Sequence, residues 1–335
     1  MELILSILAG VGLFLYGMNL MSDGLQKVAG QKMRDVLEKL TKSSIMGLLL
    51  GIIFTGIIQS SNATTVLVVS FVNSGIMKLS QSVGVIMGAN IGTTVTGQLI
   101  SFKLDAIAPF FIIAGVILVM FIKKPMAKRI GEVVLGFGIL FFGMSTLSSS
   151  VKHLNQFAAV KTLFGSVTNP FLAVLIGFVL TSILQSASAS VGILIVLASS
   201  GLIHPDICYY IIMGCDIGAC GSAVLSSLGG NKDAKRAALI HLSFNVIGTV
   251  IVMILLAVAG NPIRSAIHGL TASIADTGLR AGRDVANINS ILKVSQVIIL
   301  FPFSKYLIKL TRWIVKGEDE EVHGLELKYI GNHSI

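Results

Sequence analysis

Charged residues are scarce in this sequence, at 12% of 335 residues, about half the share of a soluble domain. With 54% hydrophobic residues and a mean hydropathy of +0.88, that scarcity excludes a water-soluble fold and makes lipid the solvent. Cysteine is nearly missing too. Cys208, Cys215 and Cys220 share one apolar stretch and lack the paired spacing of a zinc site or a disulfide framework. No cleavable leader is expected: residues 1–21 have no basic leading segment, and the apolar run Leu3–Met21 is long enough to span. Nucleophile–base pairs, a phosphate-loop lysine and metal clusters are absent, so the chain reads as a non-enzyme without a cofactor. The net charge of +9 does not mark a nucleic-acid partner. The basic residues gather at the ends of apolar segments, where membrane proteins use them to set orientation.

What the chain does have is internal symmetry. An offset of 126 residues carries Gly10, Gly12, Gly17 and Met18 onto Gly136, Gly138, Gly143 and Met144. The same offset carries Gly51, Thr55, Gln59, Ser60 and Ala63 onto Gly177, Thr181, Gln185, Ser186 and Ala189. It also carries Met87, Gly88, Ile91 and Gly92 onto Met213, Gly214, Ile217 and Gly218. The glycines read as close helix packing. The duplicated Gln-Ser does not, because glutamine is not small.

Repeat 1 occupies residues 1–125. After Leu3–Met21 comes a basic amphipathic stretch, Asp23–Lys42, and then Ile45–Ile58 and Val66–Val72 on either side of Gln59–Thr65. As helix, Ile45–Ile58 is roughly 21 Å long, short of a ~30 Å hydrocarbon core. Residues 45–74 are therefore expected to form a re-entrant hairpin rather than one long helix. Ser82–Ile100, interrupted at Gly88–Thr94, and Ala106–Ile122 complete the unit. Repeat 2 covers 127–260, with its hairpin at 169–201. Three crossings is an odd number, so the second repeat lies upside down relative to the first. Residues 261–283 read as an external amphipathic link, 284–312 as a C-terminal transmembrane helix, and 313–335 as a cytoplasmic tail.

The fold class is thus an all-α integral membrane protein: two inverted repeats, each with three spans and a re-entrant helical hairpin, plus a C-terminal span. With the N-terminus outside and the C-terminus cytoplasmic, Lys27, Lys32, Arg34, Lys39, Lys42, Lys78, Lys123, Lys124, Lys128, Arg129, Lys232, Lys235, Arg236, Lys305, Lys309, Arg312 and Lys316 fall inside. Lys103, Lys152, Lys161, Arg264, Arg280 and Arg283 fall outside, so the inside is the more basic face. A multi-pass protein of the cell membrane is expected.

Hydroxyls and amides at membrane depth need partners or a wet cavity. Thr55, Gln59, Ser60, Ser61, Asn62, Thr64 and Thr65 crowd one hairpin tip, and Thr181, Gln185, Ser186, Ser188 and Ser190 the other. Hairpins entering from opposite faces bring such tips together near the midplane, where inverted-repeat transporters bind their substrates. The half-helix after each tip offers free N–H groups and a positive dipole end, an anion site without a charged side chain. Alkali cations suit the same oxygens. Asn90, Thr93, Thr94 and Thr96 correspond to Asp216, Ala219, Cys220 and Ser222, and Asp216 is an intramembrane carboxylate, a candidate cation or proton ligand. His241 and Asn245 read as interhelical hydrogen-bonders, and Lys293 as a residue that snorkels or pairs.

The motif Gln59-Ser60-Ser61 with Gly88-Ala89-Asn90-Ile91-Gly92-Thr93-Thr94, followed by Gln185-Ser186-Ala187 with Gly214-Cys215-Asp216-Ile217-Gly218, resembles the type II sodium/phosphate cotransporter family in its bacterial branch. The resemblance covers roughly residues 1–310. It implies sodium-coupled phosphate movement by alternating access, with inorganic phosphate on backbone amides and Ser60, Ser61, Asn62, Ser186 and Ser188. Sodium, the coupling ion, is expected at Gln59, Thr65, Asn90, Thr94, Gln185 and Asp216. Ala187 stands where the family usually has serine, and Asn289 and Lys293 stand where a His and an Asn are common. The cytoplasmic helical domain of many bacterial relatives is not expected. A carrier of another oxyanion, an uncoupled phosphate exporter and a membrane phosphate sensor remain alternatives. A homo-oligomer and a separate regulatory protein are left open as partners.

Overall fold

The computed structural model describes residues 2–41, 43–102 and 104–317, and all its regular elements there are helical. Repeat 1 contains α1 (Glu2–Leu40), α2 (Ser44–Ile58), α3 (Ser61–Asn73), α4 (Leu79–Gly92), α5 (Thr94–Ile100) and α6 (Ala108–Met120). Repeat 2 follows with α7 (Pro125–Leu154), a short α8 (Ala158–Gly165), α9 (Pro170–Leu184), α10 (Ala187–Ser199), α11 (Pro205–Ser227) and α12 (Lys232–Gly269). Beyond the repeats lie α13 (Thr277–Leu300) and α14 (Ser304–Ile314). Among the described residues, six helical stretches are long and apolar enough to cross a membrane, so the chain is a multi-pass membrane protein.

The two hairpins follow from a geometric test. Thr55 and Thr64 would stand about 13.5 Å apart along a continuous helix, yet their hydroxyl oxygens are 2.7 Å apart. Thr181 and Ser190 make the same contact at 2.7 Å. The chain turns back in both places. The first arm of each hairpin lies flat on the following span, α2 on α4 and α9 on α11, while α1 crosses α7. Glycines permit this proximity: a Cβ on Gly17 would strike the Leu140 backbone, and one on Gly214 the Val174 carbonyl. The outer faces carry exposed Ile45, Leu49, Ile53, Phe171, Leu175 and Ile183, as a lipid-facing surface requires. The second arms interlock across the repeats: α3 packs on α11 and α12, and α10 packs on α5 and α13.

The structure corrects several expectations. The interruption at Gly88–Thr94 narrows to Thr93, which keeps right-handed helical dihedrals (φ −63°, ψ −21°), and α11 runs unbroken. The third crossing of repeat 1 is short, with the 3-10 turn Asp105–Ile107 leading into α6. The expected link at 261–283 is helical as far as Gly269, because α12 continues past a kink at Ala259. His268 Nδ1 meets Asp284 Oδ2 at 2.8 Å and its Nε2 meets Asp206 Oδ1 at 2.9 Å, fastening that end to α13 and α11. The expected 284–312 helix divides, since Pro302 sits in a 3-10 turn between α13 and α14. Lys305, Lys309 and Arg312 share α14 with Tyr306 and Trp313, the composition of an interfacial helix. Buried Arg236 holds its end through the Val315 carbonyl, 2.9 Å from Nη2. The tail call for 318–335, and the charges of Lys42 and Lys103, lie outside the described residues.

The glycine contacts give a stability prediction. Gly214→Ala is expected to force α9 and α11 apart and cost about 1–3 kcal/mol, lowering the melting temperature of detergent-solubilised protein. Gly221→Ala, with open space around the new Cβ, should leave it unchanged. Equal melting of the two variants would contradict the close approach.

Candidate substrate and ion site

Each hairpin tip is built by one glutamine and one serine. Gln59 and Gln185 are the non-glycine residues with left-handed backbone among the described residues, at φ 60° and φ 55°. That conformation costs an ordinary L-residue roughly 1–2 kcal/mol. Here it ends the first arm cleanly: the Gln59 N–H donates to Thr55 O and the Gln185 N–H to Thr181 O. Each side-chain amide then folds back, Gln59 Nε2 onto Gly56 O and Gln185 Nε2 onto Ser182 O at 2.5 Å. Ser60 and Ser186 follow as N-caps of α3 and α10, accepting from the N–H of Ala63 and of Ala189 at 3.2 Å. Ser22 of α1 donates to Ile58 O at 3.0 Å and so closes the first arm from outside.

The tips meet. Asn62 Nδ2, in the first turn of α3, donates to the backbone carbonyl of Gln185 at 2.6 Å. The first-turn N–H groups of Ser61 and Asn62 on one side, and of Ala187 and Ser188 on the other, have no partner within their own helices. Ser60, Ser61, Asn62 and Ser186 are half-buried and Ser188 is buried. The structure therefore brings the five residues expected around phosphate to two adjacent helix N-termini.

The residues expected around sodium are less tightly grouped. Gln59 is buried, and its Oε1 accepts from Thr96 Oγ1 at 2.6 Å. Gln185, its counterpart, is exposed, and the counterpart of Thr96, Ser222, bonds Ala219 O instead at 3.3 Å. Thr65 donates to Ser61 O at 2.8 Å, Thr94 to Ile91 O at 2.8 Å, and Asn90 to Ile86 O at 3.2 Å. The Thr65 and Asn90 bonds stay within their own helices and the Thr94 bond joins α5 to α4; all three leave the acceptor lone pairs available. Asp216 is engaged elsewhere: its Oδ1 accepts a hydrogen bond from Lys293 Nζ at 2.5 Å, and both side chains are buried.

Two partners escaped the sequence reading. Thr96 had a signal in its repeat position, but nothing in one dimension pairs it with Gln59. Lys293 was read only as a residue that snorkels or pairs, and the structure shows it pairing. A cavity of about 300 Å³ lies beside tip 1, between Ala63 and Leu67 of α3, Phe54 and Ile58 of α2, and Lys27, Gln31 and Arg34 of α1.

Two helical hairpins from a duplicated unit, joined tip to tip, define a class: membrane carriers built on paired repeats. The profile of the Na+/Pi-cotransporter family matches the chain twice, over residues 13–149 and 139–275, and the chain belongs to that family. It is a phosphate-transport family, and the chain is not an enzyme. "Uncharacterized protein YqeW" of Bacillus subtilis is 30% identical over 95% of this chain and all of its own length. "Putative inorganic phosphate export protein YjbB" of Escherichia coli is 26% identical over 95% of this chain but 56% of its own length. "Sodium-dependent phosphate transport protein 2A" of Mus musculus is 33% identical over 28% of this chain and 15% of its own. No solved structure matches.

The left-handed glutamines can be tested apart from their amides. Gln59→Gly keeps the tip backbone comfortable, whereas Gln59→Ala forces a Cβ into the left-handed region. The alanine variant is expected to be less stable by about 1 kcal/mol, read as the difference in thermal unfolding between the two. Alanine equal to or better than glycine would mean that the turn does not need that conformation.

Proposed function

We propose that the chain carries phosphate across the membrane together with sodium, binding both between the two Gln-Ser tips and exposing them to either side by relative motion of the two repeats. The observation that carries this reading is the Asn62–Gln185 hydrogen bond of 2.6 Å, because it sets two helix N-termini side by side. Each N-terminus is equivalent to roughly +0.5 charge, and their free N–H groups suit a phosphate oxygen. Ser60, Ser61, Asn62, Ser186 and Ser188 add side-chain donors around the same point. The basic side chains Lys27 and Arg34 at the cavity beside tip 1 favour entry of an anion.

No lysine or arginine occurs between Gln59 and Thr65 or between Gln185 and Ser190. A phosphate bound there exceeds what two dipoles neutralise, and cations on nearby oxygens make up the difference. Gln59, Thr65, Asn90, Thr94 and Gln185 supply such oxygens by amide or hydroxyl. Phosphate export is a second reading, favoured by the name of the Escherichia coli relative.

Labelled phosphate uptake into liposomes holding the purified protein separates these readings. An inward sodium gradient is expected to drive accumulation above equilibrium, and a potassium gradient is not. Gln59→Gly should raise the half-saturating concentrations of sodium and phosphate together, each about tenfold, as the loss of a hydrogen bond to a charged group implies. Sodium-independent flux would favour the uncoupled exporter, and phosphate binding without flux would favour a sensor.

A further inference from the structure

The Asp216–Lys293 pair sits where α11 and α13 face each other, with side chains 1% and 3% exposed. It is not a self-sufficient ion pair. Asp216 Oδ2 is buried with no hydrogen-bond partner, and so are Asn245 Oδ1, Asn289 Oδ1 and Gln296 Oε1. Their positions surround the pair. Asn289 and Gln296 lie one turn before and one turn after Lys293 on α13. Asn245 Nδ2 donates to Cys220 Sγ at 3.2 Å, one turn beyond Asp216, and Gln296 Nε2 contacts Met213 Sδ at 3.1 Å, one turn before it. The amides of Asn245 and Gln296 thus turn a nitrogen toward sulfur, and the oxygens of all three amides are left as unused acceptors. Buried polar atoms are nearly always satisfied. A carboxylate with amide oxygens on the flanking helical turns offers the oxygen donors that a hard monovalent cation prefers. The equivalent position in repeat 1 is the neutral Asn90, whose amide is spent on Ile86 O.

We propose that Asp216 belongs to a monovalent-cation site in which the tethered ammonium of Lys293, 2.5 Å from Asp216 Oδ1, takes the cation's place, while the amide oxygens of Asn245, Asn289 and Gln296 stay free of it. The chain thereby carries one positive charge covalently that an otherwise identical site would draw from solution as sodium. Lys293 acts as a specificity-determining residue: it fixes how many sodium ions the protein binds. The consequence for transport rests on the sodium-coupled reading above, but the site itself is tested by binding and stability, without flux.

Three purified proteins decide it: wild type, Lys293→Met, and the double variant Asp216→Asn with Lys293→Met. Melting is followed in sodium chloride and in choline chloride at equal ionic strength, and bound radiolabelled sodium is counted per chain. Lys293→Met leaves a buried carboxylate unpaired, so it should melt below wild type in choline and recover in sodium along a saturable curve. It should bind one more sodium per chain than wild type, while the double variant binds the same number as wild type. An equal sodium count in Lys293→Met and wild type overturns the proposal and makes the pair a packing device. Should Lys293→Met fail to fold, Lys293→Gln takes its place in the same comparison. A double variant that loses a sodium relative to wild type shows that Asp216 was already binding one from solution, which also overturns the proposal. Absence of phosphate flux in wild type would count against the coupled reading alone, since neither measurement depends on it.

Discussion

Breaking a helix inside a bilayer leaves backbone N–H and C=O groups without water to satisfy them, and the rest of this structure is arranged around two such breaks. The solution is the same in both repeats. A glutamine enters the left-handed region, its N–H closes the arm behind it, its amide covers one more carbonyl, and the next serine caps the arm ahead. What has no partner within its own helix is the pair of N–H groups that opens α3 and the pair that opens α10. Such groups are tolerable beside water or an anion, so the break that threatens the fold also leaves donors that an anion could use. The glycine seams of α2 on α4 and α9 on α11 hold each first arm in place, which lets the tip geometry persist.

The two repeats share a backbone and differ in side chains. Gln59 is buried and held by Thr96, whereas Gln185 is exposed and its would-be partner Ser222 points elsewhere. Asn90 is neutral, whereas Asp216 is charged and paired. The two tips are thus equivalent in backbone, one with its glutamine enclosed and the other with its glutamine open. A carrier needs that inequality in any single conformation, because a site equally open to both faces would be a channel.

Much of this was readable in one dimension. The repeat offset, the shortness of Ile45–Ile58 and the polar tip between apolar arms led directly to the hairpins, because bilayer thickness converts residue counts into topology. The tip residues stood out for the same reason: glutamine and serine in duplicate at membrane depth are costly unless they have partners. Other features were hidden. The glycines of Gly88–Thr94 resemble a helix break, but tight packing against α2 keeps that stretch helical. The end of the last span turned on Pro302, whose effect depends on where the chain meets the interface. Contacts such as Thr96 with Gln59, or Lys293 with Asp216, join residues 37 and 77 positions apart, and no local pattern encodes them.

Charge balance connects these pieces. Two helix ends supply roughly half a charge each, and the tips add hydroxyls and amides but no cationic side chain. Desolvating a multivalent anion against so little positive charge is unfavourable. An arginine clamp would have lowered that cost, yet it would also have held the anion tightly in every conformation. Mobile cations lower it only while they are bound, so the anion can be released when they leave. A site poor in fixed charge is therefore suited to coupling, and each permanent cation placed near it reduces the number that must arrive from solution. The Lys293 ammonium, buried against Asp216 on a span that packs on the second hairpin, is such a fixed cation, with its charge balanced by the carboxylate beside it.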